Sequence, residues 1–216
     1  MIRCLFLLNI PNLSVLIVDD NSPDGTGAIV RSLQSKYKSL HLEERPDKRG
    51  LGSAYIHGFK YALAKKASRV VQMDADFSHD PQDVPRLLHE LKNNDLVLGS
   101  RYVNGISVIN WPLKRLLISM GGNLYARIIT GLPFKDSTGG FKAWRSSALE
   151  KINLDKIEGN GYSFQISTTY TAWKKNLKIS EVPIVFTERT TGHSKMSKAI
   201  VWEAIWLVWK LRLFGL

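Results

Sequence analysis

The chain reads as an α/β protein with a largely parallel central sheet flanked by helices. Three observations predict this class. Short apolar runs alternate with helix-period segments, and those runs end in acidic or glycine-containing turns. No linker, repeat or low-complexity stretch divides the 216 residues.

In order along the chain, Val15 to Val18 is a buried strand, stopped by Asp19-Asp20-Asn21-Ser22-Pro23-Asp24-Gly25. A helical pattern follows from about Gly25 to Tyr37. Leu40 to Glu43 is a second strand, and Arg49-Gly50-Leu51-Gly52 turns the chain into a helix from about Ser53 to Lys65. Arg69 to Met73 is a third strand ending in Asp74-Ala75-Asp76. Pro81 suits the first position of a helix reaching about Lys92, because its missing N–H costs nothing there. Asp95 to Gly99 is a further strand. Beyond Ser100 the rhythm changes: Trp111-Pro112 opens a long helix to about Thr130, Ser137 to Phe141 forms a loop, and a helix runs from Phe164 to Lys174. A strand near Lys178 to Phe186 and a polar loop, Glu188 to Ser197, precede a Trp-rich terminal helix.

Composition narrows the class. Hydrophobic residues make up 44 %, enough for one core. The single cysteine, Cys4, excludes an internal disulfide and a Cys-based zinc site. Met1 to Ile10 lacks a signal-peptide cleavage site, and no run approaches the roughly 18 apolar residues of a spanning helix. The expectation is a soluble or peripheral protein in a reducing, cytoplasmic compartment. The net charge of +11 is uneven: residues 1–108 carry 14 Lys+Arg against 12 Asp+Glu, and residues 109–216 carry 16 against 7. An acid-bearing half followed by a basic half suits a site that grips a cation first and anions later. The basic residues are scattered, without a nucleic-acid motif, so no nucleic-acid partner is expected.

Asp74-Ala75-Asp76 is the strongest single feature. Side chains two apart on a strand share a side, so both carboxylates face one spot beyond the sheet edge. Open α/β sheets bind ligands at the carboxyl ends of parallel strands. Two carboxylates without nearby Cys suit Mg²⁺ or Mn²⁺ held jointly with substrate phosphate. The bland alternative is a solvated turn with helix-capping acids. Asp19, Asp20 and Ser22, at another strand end, can meet a ribose hydroxyl or base N–H, or serve only as turn and cap. Gly50 begins a short glycine loop before a helix N-terminus, a neighbour for phosphate or base.

The order of motifs resembles one family. Asp-Asp-Asn-Ser-Pro-Asp-Gly-Thr (19–26), Arg-Gly-Leu-Gly-Ser-Ala (49–54) and Met-Asp-Ala-Asp-Phe-Ser-His-Asp-Pro (73–81) are followed by Gly-Ser-Arg-Tyr (99–102), Gly-Gly-Asn-Leu-Tyr-Ala-Arg (121–127) and Gly-His-Ser-Lys-Met-Ser (192–197). The series is similar to family 2 glycosyltransferases, within them the dolichol- or polyprenol-phosphate mannose synthases. The resemblance implies a GT-A nucleotide-sugar fold, GDP-mannose as donor, a polyprenyl phosphate acceptor and inversion at the sugar carbon. It implies Asp74, Asp76 and Ser78 as metal ligands, with Asp20 on the nucleoside beside Asp19, Ser22, Gly50 and Asp74. It places the lipid phosphate at Arg101, Arg115, Ser119, Arg189 and Lys195, with Asp76, Arg101 and Arg115 carrying catalysis. UDP-glucose as donor stays open, because the metal motif does not read the base.

Arg115 and Ser119 are i and i+4 on one helix, with Gly122 a turn further; Gly121-Gly122 inside a helix suggests close approach by a ligand or backbone. Each arginine taken singly reads as a surface salt bridge. The five histidines have no paired motif spacing, and an anionic phosphate acceptor needs no general base; His79 reads as a loop or capping residue. The segment 199–216 carries Trp202, Trp206 and Trp209 at helical spacing, with Lys210 and Arg212 able to reach anionic lipid. It is either a membrane-surface contact at the cytoplasmic face or a helix folded on the core. Residues 1–198 then form one domain. Members of the family open with a strand and a Pro-x-Tyr-Asn-Glu-like motif; here Met1 to Asn12 reads as the end of the following helix. An N-terminally incomplete domain with a gap in its sheet is therefore expected, and with it a rival reading: an impaired homologue that only binds lipid phosphate.

Overall fold

The computed structural model describes residues 1–188 and 198–215. The first half alternates as predicted: α1 (Ile2–Leu7), β1 (Val15–Asp19), α2 (Thr26–Gln34), β2 (Leu40–Glu44), α3 (Leu51–Ala64) and β3 (Arg69–Gln72). A 3₁₀ turn, Pro81–Asp83, then leads into α4 (Val84–Glu90). Asp80 caps that turn, its carboxylate accepting from Gln82 N at 2.9 Å. Next come β4 (Leu96–Ser100), the short β5 (Val108–Ile109), α5 (Leu113–Thr130), β6 (Lys142–Arg145) and α6 (Ser146–Lys151). The chain closes with α7 (Tyr162–Lys174), β7 (Ile179–Pro183), β8 (Phe186–Thr187) and α8 (Lys198–Phe214).

The sheet is split where a gap was expected, and one strand, β6, departs from the parallel pattern. β1 and β2 pair in parallel as a two-stranded sheet of their own, while the main sheet has the order β3-β6-β4-β7. Within that sheet β6 runs antiparallel to both β3 and β4, and only β4–β7 is parallel. The sequence concealed β6 because Lys142 and Arg145 interrupt its apolar pattern.

The two sheets nevertheless share a core. Val15 and Leu40 from β1 and β2 lie in one cluster with Val97, Phe141 and Ala143 from the main sheet. Each such side chain stabilises by about 1.5–3 kcal/mol when fully buried, so this seam is held by packing rather than by strand pairing. Helix α3 lies across it, touching both β1 and β3.

Helix α7 shares a second core cluster with α3 and is buried along most of its length although it reads as polar. Its hydroxyls turn back onto their own helix: Thr168 and Thr169 donate to Gln165 O at 3.0 Å, and Thr171 to Ser167 O at 2.8 Å. Lys142, fully buried, donates to Gln165 O at 2.8 Å and to Thr168 Oγ1 at 2.9 Å. Helix α8 packs on α5 and α7 through Leu207, Val208 and Leu211.

Candidate active site

The carboxyl ends of β1 and β3 carry the first group of predicted residues. Asp19 is buried, and its Oδ2 accepts from Ser22 N at 3.2 Å, closing the turn in which Asn21 has φ 55°. Asp20 accepts from Arg45 Nε at 2.6 Å, and Arg45 Nη1 donates to Ser53 Oγ at 2.7 Å. The acid is thus tied to the start of α3. Gly50, immediately before that helix, has φ 90°, and a Cβ there would stand 2.3 Å from Asn160 Oδ1. The left-handed backbone favours glycine, and any side chain there would displace the Asn160 amide.

Asp74 and Asp76 follow β3, both half-buried. Tyr55 on α3 donates its hydroxyl to Asp74 Oδ1 at 3.1 Å, and its ring stacks on Phe164 at 5.8 Å. Burial, then the charge of Asp74, push the Tyr55 phenol well above its ordinary range, so it remains a donor. Asp76 Oδ1 accepts from Ser78 N at 3.0 Å across a turn in which Phe77 has φ 61°. Ser78 itself is 2 % exposed; its carbonyl accepts from Thr187 N at 3.2 Å.

His79 is more than a loop residue. Its Nδ1 accepts from Asp74 N at 3.0 Å, so the neutral ring carries its proton on Nε2. Burial lowers its pKa, against the raising effect of Asp74. The ring stacks on Phe141 at 4.9 Å and meets the edge of Phe186 at 5.2 Å. A base role does not suit a buried imidazole whose accepting nitrogen is already used.

Phe186 leads on to the arginines. Trp111 lies 5.4 Å from Phe186, and Arg115 stacks on Trp111 at 4.3 Å. Arg101 lies 5.6 Å from both Trp111 and Phe186. The carboxylates and the arginines therefore border one aromatic cluster.

Arg101 and Arg115 differ sharply in environment. Arg101 is buried and bound by Asp136 through Nε and Nη2, each at 2.6 Å, with Nη2 also reaching Thr138 Oγ1 at 2.8 Å. Arg101, expected at the lipid phosphate, is held by Asp136 and Thr138 through Nε and Nη2. Arg115 pairs with Glu188 at the site's rim, with its side chain 18 % exposed. Ser119 Oγ accepts from Tyr102 Oη at 2.8 Å. Arg189 and Lys195 lie outside the described residues. Among the described residues no other backbone approaches Gly121-Gly122: a Cβ at either position meets nothing within 4 Å, which leaves that face open.

Comparison with known proteins bears on the family. A family model described as "Glycosyl transferase family 2" matches residues 1–153. The chain belongs to glycosyltransferase family 2. This glycosyltransferase is 46 % identical to an undecaprenyl-phosphate mannosyltransferase of Micrococcus luteus, over 91 % of this chain and 81 % of that one. It is 44 % identical to a polyprenol monophosphomannose synthase of Mycolicibacterium smegmatis, over 94 % and 78 %. Its fold matches glucosyl-3-phosphoglycerate synthase of Mycobacterium tuberculosis, solved with Mn²⁺, UDP and phosphoglyceric acid, at TM-score 0.66 and 16 % identity, covering 98 % and 72 %. The same enzyme with Mn²⁺ and UDP-glucose gives TM-score 0.59 at 18 % identity, covering 91 % and 67 %. The GT-A fold expected from the motifs is the fold of this glycosyltransferase.

Sequence reasoning missed Asp136, Glu188, Arg45 and Tyr55. Asp136 carried a signal: it adjoins the Ser137-Thr138-Gly139-Gly140 loop in a half with few acids. Among the described residues no three His, Cys, Asp or Glu side chains form a ready-made metal cage. Two accessible carboxylates fit an ion that completes its shell with substrate phosphate and water.

Proposed function

We propose that this glycosyltransferase moves mannose from GDP-mannose to the phosphate of a polyprenyl lipid, inverting the sugar carbon and giving polyprenyl-phosphate mannose. The observation that supports the reading is the ring cluster of His79, Phe186 and Trp111, which links the turn after Asp74 to Arg115. Asp20, backed by Arg45, and Asp19 with Ser22 and Gly50 face the nucleoside. Asp74 and Asp76 hold Mg²⁺ or Mn²⁺, which when bound stabilises the departing diphosphate. Ser78 lies beneath the turn, so substrate oxygens are better placed than its hydroxyl. Arg115 and Ser119, joined by Arg189 and Lys195, hold the acceptor phosphate in line with the sugar. The phosphate oxygen is already anionic and attacks without a base. Mannose is favoured over glucose by the two bacterial relatives, whose names specify mannose transfer to, or mannose on, a polyprenol phosphate.

We also propose peripheral docking at the cytoplasmic face of a membrane. No described helix is long and apolar enough to cross one. Instead α5 exposes Leu113, Leu117, Leu124 and Ile128 beside α8, which exposes Trp202, Trp206 and Leu213. Helix α8 packs Leu207, Val208 and Leu211 on the core and leaves Trp202, Trp206 and Leu213 exposed, which supports a surface contact through that outer face. Lys210 is paired with Glu158 at 2.6 Å, leaving less of its charge for lipid than the sequence suggested.

The test is a panel of GDP-mannose and UDP-glucose with polyprenyl phosphate, with Mg²⁺, Mn²⁺ or chelator. Transfer from GDP-mannose that requires metal and is lost in a folded Asp76→Ala variant is expected. Donor preference for UDP-glucose, full activity of Asp76→Ala, or lipid phosphate binding without turnover would each overturn the reading.

A further inference from the structure

Both arginines at the acceptor end already carry a carboxylate, and the two pairs differ in kind. Arg101 and Asp136 have side chains 4 % and 0 % exposed, joined by two bonds of 2.6 Å, with Arg101 N adding a third to Asp136 at 3.0 Å. Separating them would strand a charge in the interior, so this pair is permanent. Arg115 and Glu188 are 18 % and 23 % exposed. A pair partly open to water is held less firmly than a fully buried one and can exchange its anion. The Arg115 guanidinium is meanwhile fixed by stacking on Trp111 at 4.3 Å, so its fork stays in place whichever anion it holds.

Glu188 stands just beyond β8, its N–H bonded to Ile109 O at 3.0 Å. Its main chain is anchored while its side chain reaches over to the arginine. A carboxylate and a phosphate monoester offer a guanidinium the same grip, anionic oxygens that accept from its planar fork. The monoester carries about −1.5 to −2 charges at neutral pH against one for the carboxylate. It is the stronger competitor.

We propose that Glu188 is an internal stand-in for the acceptor's phosphate on Arg115, displaced when a phosphate monoester arrives. Glu188 thereby determines specificity: it keeps the cation paired in the free enzyme and sets a threshold that singly charged carboxylates and phosphodiesters do not pass. The inference deepens the acceptor reading above and rests on it only for which monoester arrives.

The experiment compares wild type with Glu188→Gln, which keeps the shape and removes the charge, and with Glu188→Asp, which keeps the charge. One arm measures KM for polyprenyl phosphate and for the sugar donor. The other titrates inorganic phosphate by calorimetry, without donor. In Glu188→Gln the KM for polyprenyl phosphate should fall about two- to fivefold, the gain a partly exposed ion pair allows, with donor KM unchanged. Inorganic phosphate should bind tighter by a similar factor, more so at low salt, and Glu188→Asp should stay near wild type. Tightening in the inorganic arm alone supports the stand-in and assigns Arg115 to free phosphate instead of a lipid headgroup. Unchanged or weaker binding in both arms overturns the proposal. If wild type glycosylates no polyprenyl phosphate, the acceptor reading fails, and the phosphate titration still decides the fate of Glu188.

Discussion

The hydroxyl of Tyr55 donates to Asp74 Oδ1 at 3.1 Å, and the backbone N–H of Asp74 donates to His79 Nδ1 at 3.0 Å. One acid of the metal motif is therefore steered from helix α3 through its side chain and from the following turn through its main chain. Removing the phenol leaves the acid present but less well aimed.

Tyr55→Phe should weaken apparent metal affinity about tenfold, the usual cost of losing a partner that orients a ligand. Its kcat at saturating metal should stay near wild type, because the ring still stacks on Phe164. Metal titrations of initial rate check this; an unchanged half-saturation point would remove Tyr55 from the metal's support.

Asp136→Asn should destabilise the fold by about 3–5 kcal/mol, since Arg101 is left charged and buried without its counter-ion. Arg101 chiefly, against burial, holds the Asp136 carboxyl below the usual range. A depressed folded pKa means that its stabilisation is present above the ordinary Asp value of about 4 and is lost as pH falls through the folded value. The variant should accordingly lose part of the acid limb of its stability profile. Urea melts between pH 3 and 7 test both statements.

Lys142→Met should leave the protein as stable or more stable at neutral pH. Burial pushes the lysine well below its ordinary pKa, so the folded state binds fewer protons than the unfolded one. Wild-type stability then rises with pH up to the unfolded value of about 10.4, and the variant should lack that rise. The Gln165 carbonyl keeps its bonds from Thr168 and Thr169, so no acceptor is stranded. Denaturant midpoints at pH 7 and 9.5 decide the matter.

Trp206→Ser combined with Leu117→Ser should abolish sedimentation with anionic vesicles while leaving the melting temperature within a few degrees. Both side chains are largely exposed, at 72 % and 60 %, so the core is untouched. Deleting α8 outright is a poorer test, because Leu207, Val208 and Leu211 are buried against α5 and α7. Retained vesicle binding by the double variant would exclude this face.

The elements that position the donor end were legible because their chemistry is local. Val15 to Val18 is an apolar run cut off by acids, and Asp74-Ala75-Asp76 declares its shared direction by spacing alone. What the sequence hid were arrangements between distant segments. Lys142 lies in a central strand because α7, far along the chain, supplies its acceptors. Asp136 and Glu188 gave no sign of their arginines, 35 and 73 residues away. Helix α5 carries an apolar stripe, of the kind that ordinarily marks a core, yet Leu117, Leu124 and Ile128 face outward.

Glu203 on α8 accepts from Asn160 N and from Ser163 Oγ, each at 2.6 Å, and Asn160 is the residue that crowds Gly50. The final helix thus acts as a buttress whose footing reaches the entrance of α3. Shortening the chain ahead of it would take away the greasy outer face and, in the same cut, unprop the turn at Gly50.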